Sequence, residues 1–545
     1  AFASTTFKTN IFMTTASTPT KDSTAKQPNI LFLMVDQLAA PTLPAYGHPV
    51  VQAPHISALA AQGVVFDSAY CNFPICAPSR FSLLSGRLPH SIEAYDNGSE
   101  FPASIPTMAH YLRQAGYRTT LCGKMHFVGP DQLHGYEERL TTDIYPADFA
   151  WTPDWLKGPA YRPTGVSMRG VVEAGPCLRS LQIDYDDEVE YHALQKLYDL
   201  ARIPNAAPFF LTVSFTHPHP PFVAPQQYWD MYKSDEIDQP KVPEIPFEQL
   251  DMHSQWLYTA HAQGQHNITP ERIRNARQAY YGMITYTDAK IGRIMQTLKE
   301  LGLDENTLVV LAGDHGEMLG ERGMWYKQTF FEWSVRVPLI VSMPQRFKPG
   351  RVAAHVSLVD LLPTFLDISK NLQSIEPVDP LDGQSLLPLL EGLDSGIARC
   401  VISEYSSEGV CAASRMVRSG HYKYIYTFQL APMLFDLESD PDELNNLAGQ
   451  SAYTSVQANL HAKAIEGWDP AQVHADILAS QKRRLFIAKV NESSEPPAPN
   501  WAYQPFVDET KRYIRGSGTA GPMGKKAQAR FPFVPPVLPD RKEDH

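Results

Sequence analysis

Three apolar runs constrain this chain more than any other feature. "PNILFLMVDQ" (residues 28–37), "PFFLTVSFTHPHPPF" (208–222) and "NTLVVLAGDHGE" (306–317) carry no charge until their last residues. A strand with one wet face would alternate apolar and polar residues. A run that is apolar throughout reads as a strand covered on both faces, which is the condition of a parallel sheet. Helical patterns lie between the runs: "APHISALAAQG" closed by Gly63, "IPTMAHYLRQAG", the acid-started "YDDEVEYHALQKLYDLA", and residues 271–301 closed by Gly302. "VPLIVSMP" adds a strand and "SLVDLLPTFLDIS" a helix. This alternation predicts an α/β fold with a mainly parallel sheet and helices on both faces. Sites in such sheets form beyond the carboxyl ends of the strands. Those ends carry Asp36–Gln37, His217-Pro-His219 and Asp314–His315.

The pattern changes near residue 398. "RCVISEYS", "AASRMVRSGHYKYIYTF" and "PMLFDLESD" predict an antiparallel meander. The expected organisation is a disordered Ser/Thr-rich leader (1–27), an α/β catalytic domain (28–397) and a smaller α+β subdomain with an antiparallel sheet (398–470). A helix with a Pro-rich tail (471–545) follows as a possible oligomer contact. The 545 residues are 43% hydrophobic, enough for a large core, and the 46 prolines predict many irregular loops. A net charge of −12 disfavours nucleic acid and gives no general attraction to anionic membranes. A local cationic pocket can still hold an anion. No apolar run approaches the roughly 20 residues that cross a bilayer. Six cysteines without a CxxC pair predict a reduced, cytoplasmic protein.

Asp36, Gln37, Asp314 and His315 offer oxygen and nitrogen donors suited to a divalent cation; their alternative use is capping loops. In "AGYRTTLCGKMH", Lys124 and His126 point the same way if extended. A phosphate-binding loop is excluded there, because Arg118 stands where its first glycine belongs and Met125 replaces Ser or Thr. His217 and His219 sit in a rigid Pro-rich loop, and Lys327 follows Asp314–His315 closely. Cys76, in "YCNFPICAPSRFSLLSGRLPH", reads as a buried thiol or as a thiolate beside Arg80 at a helix start.

The order of residues around Cys76 points further. "CAPSRFSLLSGR" resembles the cysteine-type sulfatase motif, Cys-x-Pro-x-Arg followed by Leu-x-Gly. "GYRTTLCGKMH" resembles the second sulfatase motif and "GDHGEMLGERGMWYK" the metal and lysine segment of the same superfamily, in the same order and spacing. The resemblance implies an alkaline-phosphatase-like fold. It implies that a formylglycine-generating enzyme converts Cys76 to formylglycine, with Pro78 and Arg80 completing its recognition motif. It also implies one divalent metal held by Asp36, Gln37, Asp314, His315 and the modified Cys76, with Ca²⁺ ahead of Mn²⁺ or Mg²⁺.

The Asp-Gln and Asp-His pairs are similar to those of the choline-sulfatase and phosphonate-monoester-hydrolase branch. "KMHFVGPDQLHGYEERLTTDIYPADFAWTPD", "DYDDEVEYHALQKLYDLAR" and "WAYQPFVDETKRYIR" favour the choline-sulfatase side. The implied substrate is choline O-sulfate. Residues 156–180 depart from the bacterial pattern, so part of the choline pocket is expected to be built differently.

By the same resemblance, Arg80 and Lys124 hold charge near residue 76, His126 accepts a proton, and His219 and Lys327 face the bridging oxygen. Asn97 and His217 are expected on the substrate, and Trp151, Glu404 and Asp508 around the quaternary ammonium. Asp508 would reach a neighbouring subunit of a homo-oligomer. The competing readings are a phosphonate, phosphate monoester or phosphodiester hydrolase of the same superfamily, and a silent binding protein with Cys76 unmodified.

Overall fold

The computed structural model describes residues 27–203, 206–369, 375–393, 399–493 and 501–503. The expected leader up to residue 26, Asp508 and the tail beyond residue 503 lie outside the described residues. Gln27 is already anchored, donating to the carbonyls of Ala115 and Ser369 at 3.3 and 2.7 Å.

The strands of the larger part are β1 (Asn29–Val35), β2 (Val64–Tyr70), β3 (Arg118–Gly123), β4 (Glu138–Arg139), β5 (Gly175–Cys177), β6 (Phe209–Phe215), β7 (Val223–Pro225), β8 (Thr307–Gly313), β9 (Leu339–Ser342) and β10 (Gly350–Ser357). Eight of them form one sheet in the order β10-β2-β9-β8-β1-β6-β3-β4. All neighbours run parallel except β9, which is antiparallel to both β2 and β8. β5 and β7 pair separately.

The central strand shows why the sheet is covered twice. Along β1, Ile30, Phe32 and Met34 enter one apolar cluster, and Leu31, Leu33 and Val35 enter another. Period-2 alternation within a wholly apolar strand therefore feeds two cores at once. On the first face Phe32 meets Phe365 of the helix Leu361–Ser369 edge-on, 6.0 Å between ring centres. On the second face lies the 31-residue helix Pro270–Glu300, capped by Thr269 and opened by a proline. Each such fully buried aliphatic or aromatic side chain contributes about 1.5–3 kcal/mol.

Residues 400–436 form the expected meander: β11 (Cys400–Tyr405), β12 (Ser414–Ser419), β13 (Tyr422–Thr427) and β14 (Met433–Asp436), antiparallel in sequence order. The helix Thr454–Ile465 covers it with Leu460 and Ala464 against Val417, Tyr424 and Leu434. Buried charge ties this sheet to the larger one: Lys423 of β13 bonds the carbonyl of Phe330 at 2.8 Å, Glu332 at 2.8 Å and Glu443 at 2.6 Å. No helix of the described residues is long and apolar enough to cross a membrane.

Strand register positions the site. Val35 lies opposite both Phe215 and Gly313, and Gly123 opposite Ser214. Asp36, Asp314, Lys124 and Thr216 consequently leave four adjacent strands at nearly one level. Gly123 makes this exit possible: its φ is +102°, and a Cβ there would lie 2.0 Å from the carbonyl oxygen of Ser214. Gly123→Ala combines backbone strain with overlap that backbone cannot relieve, and should cost about 3 kcal/mol or more. Thermal unfolding of the purified variant checks this; an unchanged melting temperature would contradict the geometry.

Candidate active site

The helix Cys76–Ser85 is buried along its whole length, and it begins at Cys76. Its N-cap, Ile75, has no side chain to satisfy the first amides. Asn97 does this instead, accepting from Ala77 N at 3.0 Å. The positive end of the helix dipole thus faces the site and favours negative charge there.

One turn after Cys76, Arg80 reaches across to the strand ends. Its Nε donates to Asp314 Oδ2 at 2.8 Å, and Nη1 donates to the carbonyl of Lys124 and to Ser214 Oγ at 2.7 and 2.9 Å. Its Nη2 has no hydrogen-bond partner among the described residues. Lys124 Nζ pairs closely with Asp36 and lies 3.4 Å from Cys76 Sγ. Lys327 Nζ donates to Gln37 Oε1 at 2.5 Å and lies 3.5 Å from the same sulfur. His315 Nε2 is 3.2 Å from it and Asp36 Oδ1 3.7 Å. The sulfur is the point on which the strand-end residues converge.

The titration of these groups follows from burial and charge. Burial, then the neighbouring Asp314 and Cys76, push Asp36 up to about 7 against Lys124 and Arg80. Burial acts the same way on Asp314, but Arg80, His315 and Lys124 overcome it and hold that carboxyl well below the usual range. Burial raises the Cys76 thiol, yet Lys124 and Lys327 pull it below its ordinary value, to about 6. Burial and Lys327 keep His315 neutral, down at about 4, in spite of Asp314. Burial, Lys327 and Lys124 likewise hold His219 well below its ordinary value.

Asp36, Cys76, Asp314 and His315 each offer a donor atom, all within 4.8 Å of one another. Two carboxylates, one reluctant to ionise, beside a neutral imidazole form a donor set that fits a divalent cation. Gln37 stands beside them at a φ of +61°, its amide N–H₂ held by buried Glu317. Glu317 also accepts from the backbone of Leu319 and Tyr326 at 2.9 and 2.6 Å, which fixes the Gln37 amide.

A cavity of about 370 Å³ opens onto this centre, lined by Cys76, Asn97, Trp151, His219 and Lys327 among the expected residues. His126 stacks loosely on Tyr145 and meets Trp151 edge-on, with ring centres 4.9 and 5.4 Å away. Two expected substrate residues do not line the cavity. His217 is off the wall, and Asp186 of the helix Leu181–Ala201 takes its Nδ1 at 2.6 Å and its backbone N–H at 3.0 Å. Glu404 does not line the cavity either. Burial acts to raise its carboxyl, but Arg415, directly opposite it on β12, and His90, 2.8 Å away, pull it down to about 2.

The residues missed are Glu408, Tyr145, Thr164 and Glu317. Glu408 lines the cavity four residues after Glu404, and Tyr145 lies in the irregular 130–180 section. Lys124 Nζ stands 4.1 Å over the Tyr145 ring, and the Tyr145 hydroxyl is 3.2 Å from His219. Among these, only Glu317 carried a local sequence signal, its place in "GDHGE".

Comparison with known proteins agrees with this arrangement. The family described as Sulfatase matches residues 28–370, and the one described as N-sulphoglucosamine sulphohydrolase, C-terminal, matches residues 320–467. The chain is 42% identical to a choline-sulfatase of Rhizobium meliloti (strain 1021), over 90% of this chain and 96% of that one. It is 31% identical to human arylsulfatase K over 78% and 79% of the two chains. Among solved structures it is similar to the phosphonate monoester hydrolase of Agrobacterium radiobacter, with a TM-score of 0.64 at 26% identity, covering 83% of this chain and 96% of that one. The fold, the converging strand ends and these likenesses agree: the chain belongs to the sulfatase family of hydrolases.

Proposed function

We propose that the protein hydrolyses choline O-sulfate to choline and sulfate. The observation that carries this reading is Glu408, a carboxylate 6% exposed that lines the cavity with Cys76 and has no cationic side chain paired with it among the described residues. A buried carboxylate without a counter-ion is costly. A cationic ligand removes that cost, and a quaternary ammonium, which donates no ordinary hydrogen bond, also gains from the faces of Tyr145 and Trp151.

The sulfate end meets the opposite charge. Lys124 and Lys327 flank residue 76 and neutralise the sulfuryl oxygens, with Asn97 beside them. Arg80 holds Asp314 ionised and braces Lys124 through its carbonyl. Asp36, Gln37, Asp314, His315 and residue 76 would hold one divalent cation, Ca²⁺ first by their oxygen content and Mn²⁺ or Mg²⁺ next, supplying further positive charge against the sulfate. Cys76 converted to formylglycine and hydrated would supply a geminal diol, whose two hydroxyls suit attack on sulfur and later release of sulfate. His126, neutral by burial and interacting with the Cys76 side chain, is placed to take a proton at this position. His219 donates from Nδ1 to the carbonyl of Pro220 at 2.7 Å; its Nε2, 3.2 Å from the Tyr145 hydroxyl, would exchange a proton at the leaving oxygen, with Lys327 close by.

The test compares kcat/KM for choline O-sulfate with an aryl phosphonate and a phosphodiester, on protein whose Cys76 peptide shows conversion by mass. Choline O-sulfate should lead by about a hundredfold or more, which corresponds to ~3 kcal/mol of differential transition-state binding. A faster phosphonate or phosphodiester would place the protein with the ester hydrolases of phosphorus instead.

The pH dependence follows from Glu408. Burial pushes its carboxyl up to about 7; Thr164 and Lys327 oppose this and Asp96 adds to it. Asp96 is itself tied to Arg484 at 2.6 Å. Below about 7 the carboxyl is protonated and offers the ammonium no charge. KM for choline O-sulfate should therefore fall as pH rises through that value and level off above it, and Glu408→Gln should flatten the profile. The linkage to stability has the opposite sense. The folded state holds this proton more tightly than the unfolded one, so stability decreases between about 4.5 and about 7 as pH rises. Denaturation of the two proteins across this window should show a difference that shrinks toward low pH.

A further inference from the structure

Part of the cavity wall is made by residues no sulfatase motif includes. Thr164, Gly165 and Val166 line it, and they fall within the 156–180 stretch that departs from the bacterial pattern. Thr164 Oγ1 lies 2.8 and 2.9 Å from the two carboxylate oxygens of Glu408. A single hydroxyl proton shared between both oxygens holds the carboxylate in position. Gln328 stands on the other side, with its Nε2 3.5 Å from Glu408 Oε1. The Gln328 amide is set in turn by His261, whose Nε2 donates to Gln328 Oε1 at 2.6 Å. Its backbone carbonyl is held by His253 Nε2 at 2.7 Å.

Among the described residues Glu408 thus has polar neighbours that orient it and no cationic side chain in contact with it. Glu404, four residues earlier, has the reverse arrangement, a guanidinium and an imidazole that consume its charge. The difference decides which glutamate is available to a ligand. A long carboxylate side chain left unrestrained in a cavity loses much of its attraction for a cation to the cost of ordering it on binding.

We propose that Thr164 is a positioning residue that sets specificity for sulfate esters of cationic alcohols, by holding Glu408 in the orientation that receives the cation. This rests on the reading that Glu408 meets the ammonium of choline. The contact lies away from the sulfur and is the same in the bound substrate and in the transition state. Its loss should therefore appear in KM and leave kcat unchanged.

The experiment measures kcat and KM for choline O-sulfate and for 4-nitrophenyl sulfate, which has no cation, on the wild type and on Thr164→Val, Thr164→Ser and Glu408→Gln. Thr164→Val keeps the side-chain shape and removes only the hydroxyl. It should raise KM for choline O-sulfate about tenfold, the value of one charge-assisted hydrogen bond, with kcat within about twofold. KM for 4-nitrophenyl sulfate should not move, and Thr164→Ser should restore the wild-type KM for choline O-sulfate. An unchanged choline O-sulfate KM in Thr164→Val, or an equal rise for both esters, overturns the proposal. If Glu408→Gln raises the choline O-sulfate KM while Thr164→Val does not, the role of Thr164 fails and that of Glu408 stands. If Glu408→Gln leaves that KM unchanged, the reading of Glu408 fails and the role of Thr164 with it.

Discussion

The fully buried carboxylate pair of Asp36 and Asp314 is the constraint around which the rest of the site is built. Parallel pairing of β1 and β8 brings the two acids to the same level, both fully buried. Burial, and after it the like charge of Asp314, drives the Asp36 carboxyl up. The pair is tolerable only because Arg80 and Lys124, themselves buried, lie against it. Those two cations come from the helix Cys76–Ser85 and from the end of β3, so the electrostatics of the pair fix where both elements dock. The same two cations, with Lys327, then surround residue 76 with positive charge. A site that balances its own acids is by this means also prepared for an anion and for a divalent cation.

The cavity extends this logic. On one wall stands Lys327, with Lys124 buried behind Cys76; the two are already partly engaged by Gln37 and Asp36. On another stands Glu408, oriented by Thr164 and Gln328 and paired with no cation among the described residues. Aromatic faces of Tyr145 and Trp151 lie in the same space. On the proposed reading, the complement of such a cavity is a small zwitterion, with sulfate toward the lysines and a soft cation toward the carboxylate. Neither half of the cavity makes this selection alone. The cationic half would accept phosphate and sulfate esters of many alcohols, and the anionic half supplies the choice among alcohols.

Much of this was legible in the sequence. β1, β6 and β8 are apolar on both faces, so their strands and the polar residues at their ends could be read from local pattern. The Cys76, Lys124–His126 and Asp314–Lys327 segments likewise carry their chemistry within a few residues. What was not legible depended on partners distant in the chain. "SEYSSEG" contains two glutamates four apart, and only the register of β11 with β12, which sets Arg415 opposite Glu404, shows which is spent. His217 and His219 both read as site residues in sequence, and Asp186, about thirty residues earlier, is what engages the first of them. β10, "GRVAAHVS", has no apolar run to announce it, because it is an edge strand with a half-exposed face. Tyr145 and Thr164 lie in irregular chain, where neither period 2 nor period 3.6 carries information.

A cavity with this charge pattern should distinguish a cation from its neutral shape. 3,3-Dimethylbutyl sulfate replaces the quaternary nitrogen of choline O-sulfate with carbon and changes little else. On protein with residue 76 confirmed as converted, the ratio of kcat/KM for the two esters above pH 8 isolates the charge. The structure calls for choline O-sulfate to lead by about tenfold to a hundredfold, the range of a desolvated cation meeting a carboxylate and aromatic faces. Equal kcat/KM values, or a preference for the neutral ester, would contradict the cation-selecting role of Glu408 and with it the assignment of choline O-sulfate.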